Sequence, residues 1–525
     1  MGSDRDLASQ GMLRVLTVAL PSIGNIVFVS IFLILVFGIG NGLLNDGDTG
    51  YHIRTGEEIL KHGRVPTRDI FSAHFPPLKW TVHEWLSEVI LAVVYKFSGL
   101  TGIVVFFALL LAATHGLLYL ILTRKSSNLI LVVIVTCLAT ATSSTHWLAR
   151  PHVFSLTLTI LWHHLLDRFQ YHNRATLLYL PLLMIFWVNL HGGYILGLVL
   201  IGIYFGGNVL SGFRGPPQAS KEHQKKAKRL LVCLILSVMA CGINPLGFEI
   251  LLFPFKLTSD RFLMDRVVEF LSPNFHEALP FKYMLLATIG ALALSRVPLN
   301  LIECGLLLLL SYMALYSARY IPLFAVIVAP LLLKSSDSIF SNLPAQVSRF
   351  LQTRNLNLSE IDKKVHGYVW PICATLLVIG LGFGGSLKFT FDERRFPVAA
   401  VKFLNREPIS GNMFNNDEFG DYMIFSAWPT YRVFIDGRSD MYGEKLTSTY
   451  LQVANVEPGW QDALERSNIT WVMFDTKSAL TAGLDRDLNW RAIYTDKVAT
   501  IFVKKNADHA PLLAKYPAVE LTIAK

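Results

Sequence analysis

Apolar runs of membrane-spanning length recur from one end of the chain to the other, and they constrain the fold more than any motif does. A helix needs about 20 apolar residues to cross a bilayer. Lipid offers no partner for a backbone N–H or C=O, so such runs must be helical. Spans are expected near 18–40, 102–123, 129–147, 152–166, 175–190, 194–210, 230–243, 281–295, 299–316, 320–333 and 367–386. Segments 84–98 and 246–257 are also apolar, but they are shorter and flanked by charge, which suits interfacial or re-entrant helices. With 52% hydrophobic and only 16% charged residues among 525, a single soluble globule is excluded, as are disorder and a disulfide scaffold. The five cysteines (Cys137, Cys233, Cys241, Cys304, Cys373) all lie in apolar runs, so the polar segments hold neither disulfides nor a thiolate metal site.

Loop charge sets the expected orientation. With the N-terminus inside, the inner segments carry 18 cations, from Arg5 and Arg14 to Lys363 and Lys364, against seven acids, beginning with Asp4 and Asp6. The outer segments before residue 387 balance at 12 and 12, and the tail 387–525 at 17 and 18. The net charge of +9 is therefore an inner-face membrane signature, and no nucleic-acid partner is expected. Span 18–40 is too long for a cleaved leader and is expected to stay as the first helix. Asp6 stands where a myristoylation motif needs Ser or Thr, so lipidation at the Met-Gly-Ser start is not expected.

The expected architecture is an α-helical polytopic membrane protein with about eleven transmembrane helices and a C-terminal α/β soluble domain. Residues 1–386 form the membrane module, with a first outer loop at 41–101 and an inner polar loop at 334–366. Residues 387–525 form the outer-face domain. Its strands are expected at 411–415, 431–435, 469–474, 490–494 and 498–503, with helices at 419–427, 461–467 and 478–485.

Polar chemistry concentrates on the outer side. The first loop reads Asn45-Asp46-Gly47-Asp48-Thr49-Gly50-Tyr51-His52 and ends with His83-Glu84-Trp85-Leu86. Carboxylates at i and i+2 can bind a divalent cation together, or one can raise the other's pKa and make a base; the plain alternative is a solvated turn. Arg150-Pro151-His152, Asn189-Leu190-His191-Gly192-Gly193, Asn244-Pro245 and Arg319-Tyr320 fall on the same expected side. A guanidinium at a span end suits phosphate oxygens. Against this, Asn244, Gly192 and Gly193 can be helix-end punctuation. Trp80, Trp85, Trp147 and Trp187 read as interfacial belt residues, and His146, His163, His164 and His172 as cavity, packing or interfacial histidines. Glu303 reads as a snorkelling acid, and Asp436–Asp440 as a turn with a surface ion pair.

A first outer loop with an Asp-x-Asp-like pair just after helix one resembles the GT-C superfamily of polytopic glycosyltransferases. That superfamily includes protein O-mannosyltransferases, aminoarabinose transferases and oligosaccharyltransferases. The fuller ordered set looks like a bacterial membrane family of that kind: Asp48…His52…Gly56-Glu57, Pro66-x-x-Asp69-x-Phe71-Ser72, His83-Glu84-Trp85-Leu86, Asn189-x-His191-Gly192, Arg319 and Phe434-Ile435-Asp436-Gly437-Arg438. The resemblance covers most of the chain. It implies transfer of a sugar from a polyprenyl-phosphate or polyprenyl-diphosphate donor to a glycan, lipid or protein acceptor, on the periplasmic face of a bacterial inner membrane. It makes Asp48 or Asp46 the base, Asp48 being favoured because it begins the Asp-x-x-x-His pattern, with His52, His83 and Glu84 lining the cleft. Arg150, His152, Asn189, His191 and Arg319 would then bind the donor or its leaving phosphate. Asp46, Asp48, His52, His83 and Glu84 could also hold Mn²⁺ or, less well, Mg²⁺. The tail lacks the Trp-Trp-Asp element of oligosaccharyltransferases, which argues against asparagine-linked transfer. The competing expectations are a transporter or flippase for an anionic or polyprenyl-linked lipid, and a non-catalytic scaffold of glycan assembly.

Overall fold

The computed structural model describes residues 17, 19–214, 216–277, 279–365, 367–517 and 519. Arg5, Arg14, Asp4, Asp6 and the Met-Gly-Ser start lie outside the described residues. The chain is mostly helical with one small sheet, and it divides into two compact units. The first comprises Met1–Gly40, Val105–Trp147 and Pro151–Leu387; the second comprises Asn41–Val104, Leu148–Arg150 and Lys388–Lys525.

In the first unit, helix Ile321–Phe340 packs against helices Leu129–Ser143, Leu301–Tyr316 and Pro280–Leu294, while Tyr194–Arg214 packs against Pro217–Cys241. Among the described residues, four helical stretches are long and apolar enough to cross a membrane: Trp85–Thr123, Leu129–His146, Tyr194–Phe213 and Ala318–Phe340. Gln346–Lys364 and Val369–Phe383 could make a fifth, bent by 66°. Ile23–Gly38, Thr176–Leu190, Pro280–Leu294 and Leu301–Tyr316 are apolar but shorter. Length and composition thus give four or five spans where eleven were expected. Several short runs were counted as spans on hydropathy alone, and the run 230–243 is the end of a helix that begins in the charged segment at Pro217. Segment 84–98 is the first part of helix Trp85–Thr123, broken at Gly99, where φ is 58°. Segment 246–257 is a 3₁₀ turn, Gly247–Leu252, followed by helix Phe253–Ser259.

The second unit is built on a four-stranded sheet in the order β1-β2-β4-β3, with β1 Asn412–Asn415, β2 Ile469–Asp475, β3 Trp490–Thr495 and β4 Ala499–Lys504. β1 runs parallel to β2, and the other pairings are antiparallel. Phe414, Val472, Phe474, Leu480, Leu484 and Phe502 make its apolar centre. Segment 431–435, expected as a strand, is extended but joins no ladder. Val433 instead exchanges backbone bonds with Phe71 and Ala73 of the first loop (3.2 and 2.9 Å). The Asn415 side chain accepts from the N–H of Phe434 at 2.7 Å and donates to the carbonyl of Ile435 at 2.8 Å, standing in for a neighbouring strand. These bonds satisfy backbone groups that burial would otherwise leave orphaned.

Candidate active site

Asp48 opens helix Asp48–His62, where the helix dipole favours a negative charge. Asp46 accepts the N–H of Asp48 at 2.9 Å, which fixes the two carboxylates relative to each other. Arg150 spans them, with Nη1 at 2.6 Å from Asp46 Oδ2 and Nη2 at 2.6 Å from Asp48 Oδ2. The short segment carrying Arg150 is laid against the loop by backbone contacts. Ala149 N–H donates to the carbonyl of Leu43 at 2.8 Å, and Thr49 Oγ1 donates to the carbonyl of Ala149 at 3.1 Å. The Asp-Gly-Asp is therefore a clamped carboxylate pair, not a solvated turn.

A third carboxyl, Asp421 of helix Asp417–Ala427, joins this pair and was not singled out in the sequence. Its neighbour is Gly437, whose N–H donates to Asp421 Oδ1 at 3.0 Å. A Cβ at Gly437 would lie 2.2 Å from Asp48 Oδ1 and 3.0 Å from Asp421 Oδ2, so only glycine lets the backbone approach both acids. Burial, then the charges of Asp48 and Asp436, push the Asp421 carboxyl well above the ordinary carboxylate range. Asp421 is thus biased toward its neutral form, while Asp48 faces a guanidinium. A group whose folded pKa is raised contributes stability that is fully present below the unfolded value, about 3.9, and is lost as pH rises through the folded one. Asp421→Asn mimics the protonated acid and keeps the acceptor for Gly437. It is expected to match the parent protein's melting temperature near pH 4 and to exceed it increasingly as the pH rises from there toward the folded-state value. A melting-temperature profile from pH 4 to 9 checks this, and parallel profiles would count against a buried neutral acid.

A second cluster surrounds His52, which is 1% exposed. Its Nδ1 lies 3.3 Å from Glu88 Oε1 and its Nε2 3.6 Å from Glu84 Oε2. Close packing makes this possible: a Cβ at Gly56 would stand 1.9 Å from the carbonyl oxygen of Glu88. Burial drops the His52 pKa to about 4, against the opposing pull of Glu84, so the ring is neutral. His83 Nε2 lies 3.4 Å from the other oxygen of Glu84. Burial lowers its pKa, but the attraction and hydrogen bond of Glu84 outweigh this, and the net shift is upward. Glu88, absent from the sequence-derived set, sits on the helix one turn beyond Glu84.

The Asp436–Arg438 pair, expected on the surface, is buried. Arg438 is 2% exposed, Asp436 2% and Asp69 5%. Arg438 Nη1 reaches Asp69 Oδ1 at 2.8 Å, and its Nε and Nη2 form a two-pronged contact with Asp436 at 2.8 and 2.6 Å. Trp80 lies 4.4 Å beneath the guanidinium, so it is part of this core and not a belt residue. Asp69 also accepts the N–H groups of Phe71 and Ser72, each at 3.0 Å. Burial opposes its ionisation, but Arg438 and these donors win, and its pKa is lowered. The ion pair therefore ties the first loop to the segment that presents Gly437.

In the first unit, His152, His191 and Arg319 line a small cavity of about 70 Å³ with His146 and Ser155. Gly193 N–H donates to His191 Nδ1 at 3.0 Å, so that nitrogen is an acceptor and Nε2 carries the proton. Trp187 Nε1 donates to Ser155 Oγ, which in turn bonds His191 Nδ1, each at 2.7 Å. Trp187 is fully buried, another departure from the belt reading. His152 Nε2 lies 3.0 Å from the carbonyl of His146. Arg319 faces Glu269 at 4.0 Å. Asn189 is not among the lining residues; its amide donates to the carbonyls of Ile185 and Ile243 at 2.7 and 2.8 Å, and its Oδ1 accepts from Asn244 at 3.0 Å. Asn189 and Asn244 are thus helix-end fasteners. Glu303 completes a capping box with Asn300 and pairs with Lys334 at 2.7 Å, so it does not snorkel.

The residues that could have held Mn²⁺ or Mg²⁺ face other groups. Among the described residues no three His, Cys, Asp or Glu side chains are grouped to hold a metal ion. Asp46 and Asp48 direct oxygens at Arg150, and Glu84 directs its oxygens at His52 and His83.

No protein-family model matches the chain, and no curated protein matches it. Solved structures do. The archaeal oligosaccharyltransferase AglB from Archaeoglobus fulgidus, in complex with an inhibitory peptide and a dolichol-phosphate, aligns with a TM-score of 0.54 at 11% identity, over 86% of this chain and 69% of that one. The Archaeoglobus fulgidus oligosaccharyltransferase tethered to an acceptor peptide containing the NVT sequon aligns with a TM-score of 0.56 at 12% identity, over the same shares. The chain shares the fold of these oligosaccharyltransferases.

Proposed function

We propose that this protein is an integral membrane glycosyltransferase that moves a sugar from a polyprenyl-phosphate-linked donor to an acceptor hydroxyl. The observation that carries the reading is the clamped Asp48, pinned on one oxygen by Arg150 and abutting Gly437, the neighbour of Asp421, on the other side, in a chain with a GT-C fold. In this mechanism Asp48 takes the acceptor proton as the hydroxyl oxygen attacks the anomeric carbon. The bond from that carbon to the phosphate oxygen breaks, and the lipid phosphate leaves with the electron pair. Arg150 holds Asp48 in place, and Asp46 holds Arg150 in turn. Arg319, His152 and the Nε2–H of His191 serve as the phosphate-recognising groups of the first unit, since cationic and N–H donors stabilise charge that builds on a leaving oxygen. The dolichol-phosphate in the AglB complex supports a lipid-phosphate ligand. On the same reading the shorter apolar helices complete the spans counted in the sequence, and the tail faces the periplasm of a bacterial inner membrane.

The test is mass spectrometry of the purified full-length protein incubated with a panel of polyprenyl-phosphate sugars and simple acceptor glycosides, with and without EDTA. Release of free lipid phosphate from at least one donor is expected. If every donor stays intact in protein shown to be folded, the transferase reading fails.

A further inference from the structure

Within the segment 334–366 of the first unit lies a helix, Ala345–Lys364, that the transfer reading does not use. Polar side chains fasten it to the bundle. Asn355 Oδ1 accepts the N–H of Leu129 at 2.6 Å, and its amide donates to the carbonyl of Ser127 at 2.9 Å. Two turns further on, Asp362 Oδ1 accepts the N–H of Ile23 at 2.6 Å. Leu129 and Ile23 open the apolar helices Leu129–Ser143 and Ile23–Leu33, whose first N–H groups have no partner within their own helix. The chain then bends by 66° into a third apolar helix, Val369–Phe383. Gly367 N–H and Trp370 Nε1 hold this bend to the carbonyls of Leu20 and Ala19, at 3.1 and 2.6 Å. Helix Ala345–Lys364 therefore lies across the starts of three apolar helices, along one end of the bundle.

Its apolar residues point away from the bundle. Val347, Phe350, Leu358 and Ile361 recur at helical spacing and fall on one stripe. All four are exposed, Phe350 and Ile361 by 61% and 60%. A helix covering a water-soluble core turns such a stripe inward and its polar side outward; here Asn355 and Asp362 face the bundle instead. Leu356 is exposed too, but lies off the stripe. Arg354 stands in the middle of the stripe, its guanidinium 5.5 Å from the Phe350 ring. A protein groove closing over the stripe would bury that guanidinium against apolar surface, which is costly without a counter-charge. A lipid headgroup boundary accepts both parts, because the stem can lie among acyl carbons while the charge reaches phosphate. The helix carries Arg349, Arg354, Lys363 and Lys364 against Glu360 and Asp362, a balance that suits an anionic surface. Exposed Tyr368 and Trp370 at the bend fit the same depth, where amphipathic rings sit at the headgroups.

We propose that helix Ala345–Lys364 is an interfacial anchor that lies on the bilayer and recognises anionic phospholipid. Val347, Phe350, Leu358 and Ile361 enter the acyl boundary, and Arg354 and Lys364 reach lipid phosphates. Such helices bind by buried apolar area together with attraction to anionic headgroups. The anchor does not depend on the sugar-transfer reading, since its residues lie outside the Asp48 cluster.

Photocrosslinking of the full-length protein in nanodiscs tests this, with p-benzoylphenylalanine placed at Phe350, Leu358 or Ile361 and, as controls, at Gln352 or Leu356. The discs hold equal parts phosphatidylcholine and phosphatidylglycerol, and mass spectrometry identifies the adducts. Lipid adducts at the three stripe positions are expected to exceed those at the controls by about tenfold. Phosphatidylglycerol is expected to be enriched about fivefold over phosphatidylcholine in them. Arg354→Gln combined with Lys364→Gln is expected to abolish the enrichment while the yield of lipid adducts at Phe350 persists. Lipid adducts as frequent at Gln352 and Leu356 as on the stripe, or absent from the stripe in monodisperse protein, overturn the anchor. Crosslinks from the stripe mainly to a second copy of the chain overturn it in favour of a self-associating face. Enrichment unchanged in the double variant, or absent from the parent protein, overturns the recognition of anionic lipid.

Discussion

Asp48→Asn is expected to lower sugar transfer by about 10²–10⁴-fold, the usual contribution of a positioned general base, with little change in the folded structure. Asparagine preserves the size of the side chain and can still place an oxygen against Arg150 Nη2, which Asp48 contacts at 2.6 Å. What it loses is the ability to take a proton. The loss should therefore appear in kcat, with KM for the donor nearly unchanged, since an interaction made only in the transition state is removed. Asp46→Asn is the informative companion. Asp46 orients Arg150 and caps the N–H of Asp48, so it acts through these two groups and its replacement should cost less. If Asp48→Asn retained more than about a tenth of parental kcat while Asp46→Asn did not, the base would be Asp46. If both retained full activity, neither acid would be the base and the mechanism would have to be abandoned.

Why Asp48 could be singled out from sequence, and Asp421 could not, has a physical explanation. Asp46 and Asp48 are two residues apart at the end of an apolar run, so their proximity is local and legible. Arg150 was legible for a related reason: a guanidinium at a span end is costly without a partner. Asp421 lies 373 positions away on an amphipathic helix, where an acid normally faces solvent; only the close approach of Gly437 to both carboxyls makes it part of the cluster. The same contrast holds for the tail. Ile469–Asp475 is a strand because its β-branched and aromatic run is buried on both faces, and periodicity reads that directly. Residues 431–435 have the same composition, but their partners are the first loop and one asparagine side chain, which no local pattern records. Helix Ser439–Ala454 was not read at all: Gly443 interrupts it at φ 67°, and Thr447, Ser448 and Thr449 depress helix propensity. Hydropathy read the membrane helices well as apolar segments and poorly as spans, because it scores composition and not the length that helix capping leaves.

Arg438→Met is expected to destabilise the second unit by about 3–5 kcal/mol, the cost of leaving a buried carboxylate without its counter-charge. The side chain is close to isosteric along its stem and can still lie over Trp80, so packing alone would lose little. The electrostatic loss is large because two carboxylates depend on one guanidinium: Asp436 through two contacts, Asp69 through one. Tyr442 Oη, donating to Asp436 at 2.6 Å, can offset only part of it. Adding Asp436→Asn to Arg438→Met should recover stability, since it removes one of the stranded charges; recovery in the double variant is what separates an ion-pair effect from lost packing. The pH dependence follows from Asp69, whose folded pKa is depressed. Its contribution is fully present above the unfolded value, about 3.9, and is lost as pH falls through the folded one. The gap between the parent protein and Arg438→Met should therefore be widest near neutrality and should narrow below about pH 4 as both forms lose the Asp69 charge. Denaturant unfolding followed by the fluorescence of Trp460, Trp471 and Trp490, all buried in this unit, measures the gap directly. A difference of less than about 1 kcal/mol at pH 7 would mean that the pair behaves like a surface salt bridge. Because Arg438 adjoins Gly437, a correctly folded Arg438→Met protein at low temperature should also show reduced kcat, as the backbone that abuts Asp48 loosens. Activity would then fall in step with a local loss of order at residues 436–440, visible as faster amide exchange there than in β2 and β4.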